Sequence, residues 1–514
     1  MFRKLLIANR GEIAVRIARA CREMNITSAV VFSDADRAAL HVRLADEAYP
    51  IGPAPSRESY LRIDKVVDVA RRAGCDALHP GYGFLAENPE LARACAARGI
   101  TFIGPSPEAM ERLGEKTAAR QLAARAGVPM VPGAQDAIEN SRDAEGIASR
   151  LGYPVLLKAV AGGGGKGMRI VASDAEMAAA WRDASSEALN AFGDARLYLE
   201  KYLDRPRHIE IQIFGDAHGK VVYLGERECS VQRRHQKVLE ESPSPIMTPE
   251  LRRAMGEAAV LLAKEASYTN AGTVEFLVDA SRNFYFLEVN TRLQVEHPVT
   301  EMVTGLDLVK LQIRAAAGEP LPFRQEDVRL SGHAIECRLY AEDPDNHFFP
   351  SPGTILSWRA PSGPGIRLDD GVSEGYTVST EYDPMLGKLI GWGQDRDEAV
   401  VRLRRGLEEH IVTGIKTNSG LLLSILRDPE FLRGEMFTRW LDERLSRLLG
   451  ERQTQQRDSV AEDAAILGAL LHFRGPKSAV PTNRAAGETG SLWKREARLE
   501  QVNRNAFGSG RKIS

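Results

Sequence analysis

Cysteine is scarce: five in 514 residues, at Cys21, Cys75, Cys95, Cys229 and Cys337, with no C-x-x-C pair. That argues against a disulfide framework and fits reduced thiols in a cytoplasm. Neither sign of charge is in excess, with Lys+Arg 68 against Asp+Glu 70. Nothing therefore points to nucleic acid or an anionic membrane surface as a partner. No apolar run reaches transmembrane length, and Met1 leads almost directly into strand-like Leu5-Leu6-Ile7-Ala8, leaving no room for a signal peptide. Only Gly11 follows that strand, so the G-x-G-x-x-G fingerprint of a dinucleotide site is missing. What remains is a globular enzyme composition, 43% hydrophobic and 27% charged, in a chain long enough for about three domains.

The stretch Phe284–Pro298 carries the strongest pattern. Glu288, Asn290, Arg292, Gln294 and Glu296 take every second position, with Leu287, Val289, Leu293 and Val295 between or beside them. An extended chain would set the five polar groups on one face. Upstream, Thr273 to Asp279 reads as a strand and Ala280-Ser281-Arg282-Asn283 as a turn. With Ser281-Arg282 as a two-residue loop, Glu275 falls opposite Glu288. Like charges so placed repel, with Cβ atoms roughly 4.5–5.5 Å apart. A hard divalent cation holding nucleotide phosphates would resolve the repulsion, with Asn290 as a third oxygen ligand.

The N-terminal segment reads as a βαβ opening: strand Lys4 to Ala8, a turn at Asn9-Arg10-Gly11-Glu12, a helix to about Glu23, and strand Ala29 to Ser33. Further units at Ala77-Leu78 and Thr101-Phe102-Ile103 extend a doubly wound domain over residues 1–115. Its loops, His79 to Asn88 among them, fall where open sheets bind ligands, although turn chemistry alone would also explain them. Strand Tyr153 to Lys158 precedes Gly162-Gly163-Gly164-Gly165-Lys166-Gly167. Such a loop offers bare N–H groups to phosphate and could close as a lid, but it is not a P-loop. Leu197 to Tyr202 is a strand suited to adenine hydrogen bonds. Arg207 to Ile213 alternates strictly, and Glu226 to Lys237 concentrates cations as an anion pocket would. From Leu330 a mainly β region leads to helices near Leu449. Ser459 to Glu462 is a capping box before the apolar run Ala464 to Leu471, in an appendage over 450–514 that docks on a partner or on the body of the protein, or is disordered.

These residues together closely resemble biotin carboxylase. The likeness runs from Met1 to about Leu449 and rests on Ile7-Ala-Asn-Arg-Gly-Glu-Ile13, His79-Pro-Gly-Tyr-Gly-Phe84, Lys158 with its glycine loop and Glu200-Lys-Tyr-Leu203. It continues in Cys229-Ser-Val-Gln-Arg-Arg-His-Gln-Lys237, Asn290-Thr-Arg-Leu-Gln-Val-Glu-His-Pro298 and Glu336-Cys-Arg338. The glycine loop departs slightly, with Val160-Ala161 before four glycines. The fold class implied is α/β and α+β: a Rossmann-like domain at 1–115, an ATP-grasp domain at 116–316 with a mobile lid about 131–203, and a mixed, mainly β domain at 330–449.

The resemblance also implies the chemistry. ATP phosphorylates bicarbonate to carboxyphosphate, and the CO2 it releases is taken by biotin. Lys116, Lys158, Gly164, Gly165, Glu200, Lys201, Tyr202, Leu203, His208, Gln232, His235, Glu275 and Glu288 would contact ATP. Glu275, Glu288 and Asn290 would hold magnesium or manganese, two ions in all. Lys237, Arg292, Gln294 and Val295 would seat bicarbonate, with Glu296 as its base, and Tyr82 and Arg338 would meet biotin. Lys237, Arg292, Glu296 and Arg338 form the implied catalytic set. No Ala-Met-Lys-Met biotinylation site occurs, so biotin is expected on a separate carrier protein. A carboxyltransferase is expected on another chain, and the protein itself is expected to be a cytoplasmic homodimer.

Overall fold

The computed structural model describes residues 1–134, 137–160, 168–452 and 454, with only the backbone of Lys116. The glycine loop with Gly164 and Gly165, and the appendage from 455 with its capping box, lie outside the described residues. The N-terminal sheet is parallel, in the spatial order Glu47–Gly52, Thr27–Ser33, Lys4–Ile7, Ala77–His79, Thr101–Phe102. Leu5, Leu6 and Ile7 are fully buried, the run of apolar residues that a sheet covered on both faces requires. Helix Gly11–Glu23 follows the first strand, and Pro89–Ala96 starts with the Asn88 side chain accepting from Glu90 N–H and Leu91 N–H.

The strands Met168–Val171, Val155–Ala159 and Leu197–Lys201 make a small antiparallel sheet. Helices Ser141–Leu151 and Asp174–Phe192 accompany it. The largest sheet has eight antiparallel strands, ordered Phe284–Asn290, Asn270–Val278, Arg207–Gly215, Val221–Arg233, Gln236–Ser242, His333–Tyr340, Met385–Gly393, Ile366–Asp370. It therefore runs without a break from the nucleotide-type half of the chain into the mainly β region. Ile209, Ile211 and Ile213 are fully buried against Met255, Ala259 and Leu262 of helix Pro249–Glu265. Beyond, Leu339, Leu389 and Leu403 form a second core with helix Arg396–Glu409. A one-residue slip of Arg207–Gly215 would turn three isoleucines out of the core onto the charged face and Glu210 and Gln212 into the core. Register is thus fixed by the apolar face, and the polar face follows.

Two expectations need correction. The hairpin loop is longer than two residues: Val278 pairs with Phe284, and a bulge between Glu275 and Phe276 restores Glu275 opposite Glu288. The expected pairing thus occurs, through a bulge at Leu287 rather than through the turn. Asp279 replaces the tight turn, accepting from Ser281 N–H and Asn283 N–H. The extended run also ends at Asn290. Arg292, Gln294 and Glu296 lie on a connecting loop, and Glu296 caps helix His297–Thr304 with φ −79° and ψ 13°. The loop has turned by then, so the five polar groups converge from a curve, not from one strand face.

Candidate active site

A row of charge crosses four neighbouring strands: Glu288 pairs with Glu275, Glu275 with Glu210, and Glu210 with Arg227. Side chains directly opposed on one face meet, so three carboxylates in file demand cations. Arg227, fully buried, supplies one: Nε donates to Glu210, Nη1 to Gln212 at 2.7 Å and Thr300 at 2.9 Å, and Nη2 to Thr273 at 3.0 Å. Lys237 supplies the second. Its Nζ donates to Glu210 at 2.6 Å, Glu275 at 2.9 Å and Glu296 at 2.6 Å. His208 Nε2 lies 2.8 Å from the other Glu275 oxygen, and Gln232 Nε2 lies 2.7 Å from His208 Nδ1.

Burial pushes the Glu296 carboxyl up, but Lys237, Arg338 and Arg227 outweigh it and hold the group well below the usual carboxylate range. Arg338 donates through Nη2 to Glu296 at 3.0 Å and through Nε to Glu240 at 2.7 Å. Glu275 is likewise driven down, burial being overcome by Lys237 and His208. Burial lowers the His208 imidazole, yet the neighbouring Glu275 carboxylate leaves it raised overall. Burial pushes Glu240 up to about 7 in spite of Arg338. One buried carboxylate, Glu296, thus sits between two permanent cations while remaining anionic.

The loop 291–296 brings a third cation to the rim. Arg292 Nη1 donates to Gln294 at 2.9 Å, Nη2 to Asn290 at 3.1 Å and Nε to Glu87 at 2.9 Å. Thr291 N–H also donates to Glu87, at 2.9 Å. Asn290 and Gln294 side chains both donate to Glu275 Oε1, at 2.9 and 3.3 Å. Arg292, Asn290, Gln294, Glu275, Glu296, Lys237, His208, Gln232 and Arg338 therefore form one connected constellation. Glu288 is half-buried beside it. Val295 presents its carbonyl to Lys388. The Tyr82 hydroxyl is buried without a hydrogen-bond partner among the described residues.

Lys158 and Glu200 form a separate group. Lys158 Nζ donates to Glu200 Oε2 at 2.5 Å, and Arg120 to Oε1 at 2.7 Å. Lys201 instead holds the carbonyls of Gly152 and Tyr153, while Tyr202 and Leu203 are half-buried. His235 is exposed, with φ 67°, on the turn joining two strands, and none of the bonds within the central constellation involves it. The Lys116 side chain lies outside the described residues.

Sequence reasoning missed Glu210, Arg227, Gln212, Glu240, Glu87 and Lys388. Glu210 and Gln212 had a signal: Arg207 to Ile213 alternates, so His208, Glu210 and Gln212 share the face of Glu275. Arg227 stands opposite Glu210, but only the hairpin register reveals it. For a metal, two sets of His, Cys or carboxylate side chains among the described residues place ligand atoms within 4.8 Å of one another: His208, Glu210 and Glu275, and Glu210, Cys229 and Glu296. Lys237 and Arg227 already occupy these interior carboxylates. The set that the resemblance implies, Glu275, Glu288 and Asn290, is all oxygen, as magnesium prefers; here Glu275 already accepts from Lys237 and Asn290, and Asn290 Oδ1 from Arg292.

Three family models match the chain: "Biotin carboxylase, N-terminal domain" over residues 1–110, "Carbamoyl-phosphate synthase L chain, ATP binding domain" over 115–324, and "Biotin carboxylase C-terminal domain" over 336–443. A pyruvate carboxylase subunit of Methanothermobacter thermautotrophicus is 54% identical over 444 residues, 86% of this chain and 90% of the relative. Biotin carboxylase of Halalkalibacterium halodurans is 53% identical over 445 residues, 87% of this chain and 98% of the relative. Among solved structures, the biotin carboxylase domain dimer of Hydrogenobacter thermophilus 2-oxoglutarate carboxylase, in complex with MgADP, ADP and bicarbonate, has a TM-score of 0.80 at 49% identity. That match covers 86% of this chain and 98% of that chain.

Proposed function

The chain belongs to the biotin carboxylase family, and we propose that it uses ATP and bicarbonate to carboxylate biotin held on a carrier protein. One observation carries the proposal at the level of residues. The buried Glu296 carboxylate is gripped by Lys237 and Arg338, on a loop whose Arg292 and Gln294 are cross-bonded and which continues directly from the Glu275–Glu288 pair. Bicarbonate is a small planar anion, and the planar Arg292 guanidinium suits it. Seated there with Lys237, Gln294 and Val295, it would lie within reach of Glu296 as base. Glu296 takes its proton, a bicarbonate oxygen attacks the γ-phosphorus of ATP, and ADP leaves. The resulting carboxyphosphate breaks to CO2 and phosphate; the phosphate takes the N1′ proton of biotin, and N1′, met by Tyr82 and Arg338, bonds the CO2.

Phosphoryl transfer depends mainly on positioning and on neutralised charge. Magnesium, held by Glu275, Glu288 and Asn290, supplies neutralisation of the triphosphate when bound. Lys116, Lys158, Gly164, Gly165, His208, Gln232 and His235 would hold the nucleotide phosphates and ribose, and Glu200 to Leu203 the adenine edge. Support comes from the Lys158–Glu200 pair, which sets a cation beside a residue proposed for the adenine edge. No helix among the described residues is long and apolar enough to cross a membrane. We place the enzyme in the cytoplasm on its five free, buried cysteines. We assign the chain to a homodimer working with a biotin carboxyl carrier protein and a carboxyltransferase. The acceptor we propose is acetyl-CoA or propionyl-CoA. This rests on the resemblance, while the relatives' names extend to pyruvate and 2-oxoglutarate. Co-purification of the native complex identifies the transferase and hence the acceptor.

With ATP, magnesium and free biotin, ADP release is expected only when bicarbonate is present, and biotin should stimulate it. ADP release that ignores both bicarbonate and biotin, or that answers to an aminoimidazole nucleotide instead, overturns the assignment.

A further inference from the structure

Resting on the carboxylase reading above, we propose that Lys388 is a positioning residue that sets the bicarbonate loop from the strand next to that of Arg338. Lys388 lies in the strand Met385–Gly393, paired with Arg338 on one side and Asp369 on the other. Its side chain is 0% exposed. A buried ammonium is costly unless it is matched by directed partners. Its hydrogen bond, at 2.8 Å, goes to the Val295 carbonyl. The Glu12 carboxylate pairs with the ammonium from 3.2 Å, further off than the carbonyl. With a carboxylate so near, the ammonium is nevertheless aimed at a main-chain carbonyl of the loop.

The consequence follows from peptide geometry. The Val295–Glu296 peptide is planar, so holding the Val295 carbonyl also fixes the opposed Glu296 N–H and the plane from which Glu296 departs. Glu296 then begins helix His297–Thr304. Both Val295, in the cradle, and Glu296, the base, are therefore indexed to a lysine on the mainly β region. The Tyr82 ring, expected at biotin, is centred 5.7 Å from the same Nζ. Glu87 holds the other end of the loop from the N-terminal domain, through Thr291 N–H and Arg292. The loop is thus pinned at both ends, and Lys388 pins the catalytic end.

The test compares Lys388→Met, Glu12→Gln and the double variant in the full-length chain. Melting temperature and the KM values for bicarbonate and ATP are measured for each. Losing a bond from a charged donor should raise the bicarbonate KM of Lys388→Met about tenfold or more, with the ATP KM within about twofold. The double variant, which removes both members of the Lys388–Glu12 pair, should keep that defect while recovering part of the melting temperature. Glu12→Gln retains the bond to Val295 and should keep a near-parental bicarbonate KM. If Glu12→Gln raises the bicarbonate KM as much as Lys388→Met, the ion pair and not the carbonyl bond matters, and the proposal is overturned. It is equally overturned if Lys388→Met shifts both KM values together or neither. A parent protein without bicarbonate-dependent ADP release would instead sink the carboxylase reading itself.

Discussion

Glu296→Gln is expected to bind ATP as the parent does and to lose bicarbonate-driven ADP release by about 10²–10⁴-fold, the range for a general base. The substitution is isosteric, so the loop and helix start should hold. What it removes is the anion: the carboxylate that Lys237 and Arg338 keep ionised at 2.6 and 3.0 Å. A base clamped by two cations is a weak proton acceptor. An incoming anion that draws Lys237 and Arg338 onto itself relaxes the clamp and strengthens the base at the moment it is needed. The amide can neither accept that proton nor satisfy Arg338, toward which its NH2 would point. Single-turnover ADP formation with and without bicarbonate, alongside ATP affinity by calorimetry, checks both halves. Parental turnover with bicarbonate would strip Glu296 of its role.

The reading of this site from sequence succeeded where one period explained the residues. Arg207–Gly215 is the clear case: from His208 to Ile213 polar and apolar residues alternate, and His208, Glu210 and Gln212 lie on the face of Glu275. Glu275 opposite Glu288 was legible in the same way, although the bulge at Leu287 made the pairing and the simple turn did not. Alternation misled after Asn290, because polar and apolar residues also alternate along a loop whose apolar members tuck inward: Leu293 is fully buried there. What no local pattern could show was long-range pairing. Lys388 and Val295 are 93 residues apart in the chain, and Arg292 and Glu87 are 205 apart. The repulsion between Glu275 and its neighbours was foreseen, with a metal as the remedy. In the structure Lys237 and His208 meet Glu275, and Lys237 and Arg227 meet Glu210.

Arg227→Met should show how much those interior cations matter to the fold. Arg227 is fully buried and satisfies Glu210, Gln212, Thr273 and Thr300, so its removal is expected to lower stability by about 3–5 kcal/mol. Methionine fills much of the space, and the loss comes from polar groups left unmatched. The effect has a definite pH dependence. Burial already raises Glu210, with Arg227 the main influence holding it down, so removing Arg227 raises it further. A carboxyl whose folded value lies above its unfolded value of about 4.3 gives stability that is present below that value. That stability is lost as pH rises through the folded value. The variant therefore falls further behind the parent at pH 8 than at pH 5. Urea unfolding at the two pH values, in chelator so that no ion substitutes for the missing guanidinium, measures the gap. A gap that narrows toward pH 8 would mean that Glu210 is not the group Arg227 restrains, and the charge row would need another account of how three facing carboxylates stay folded.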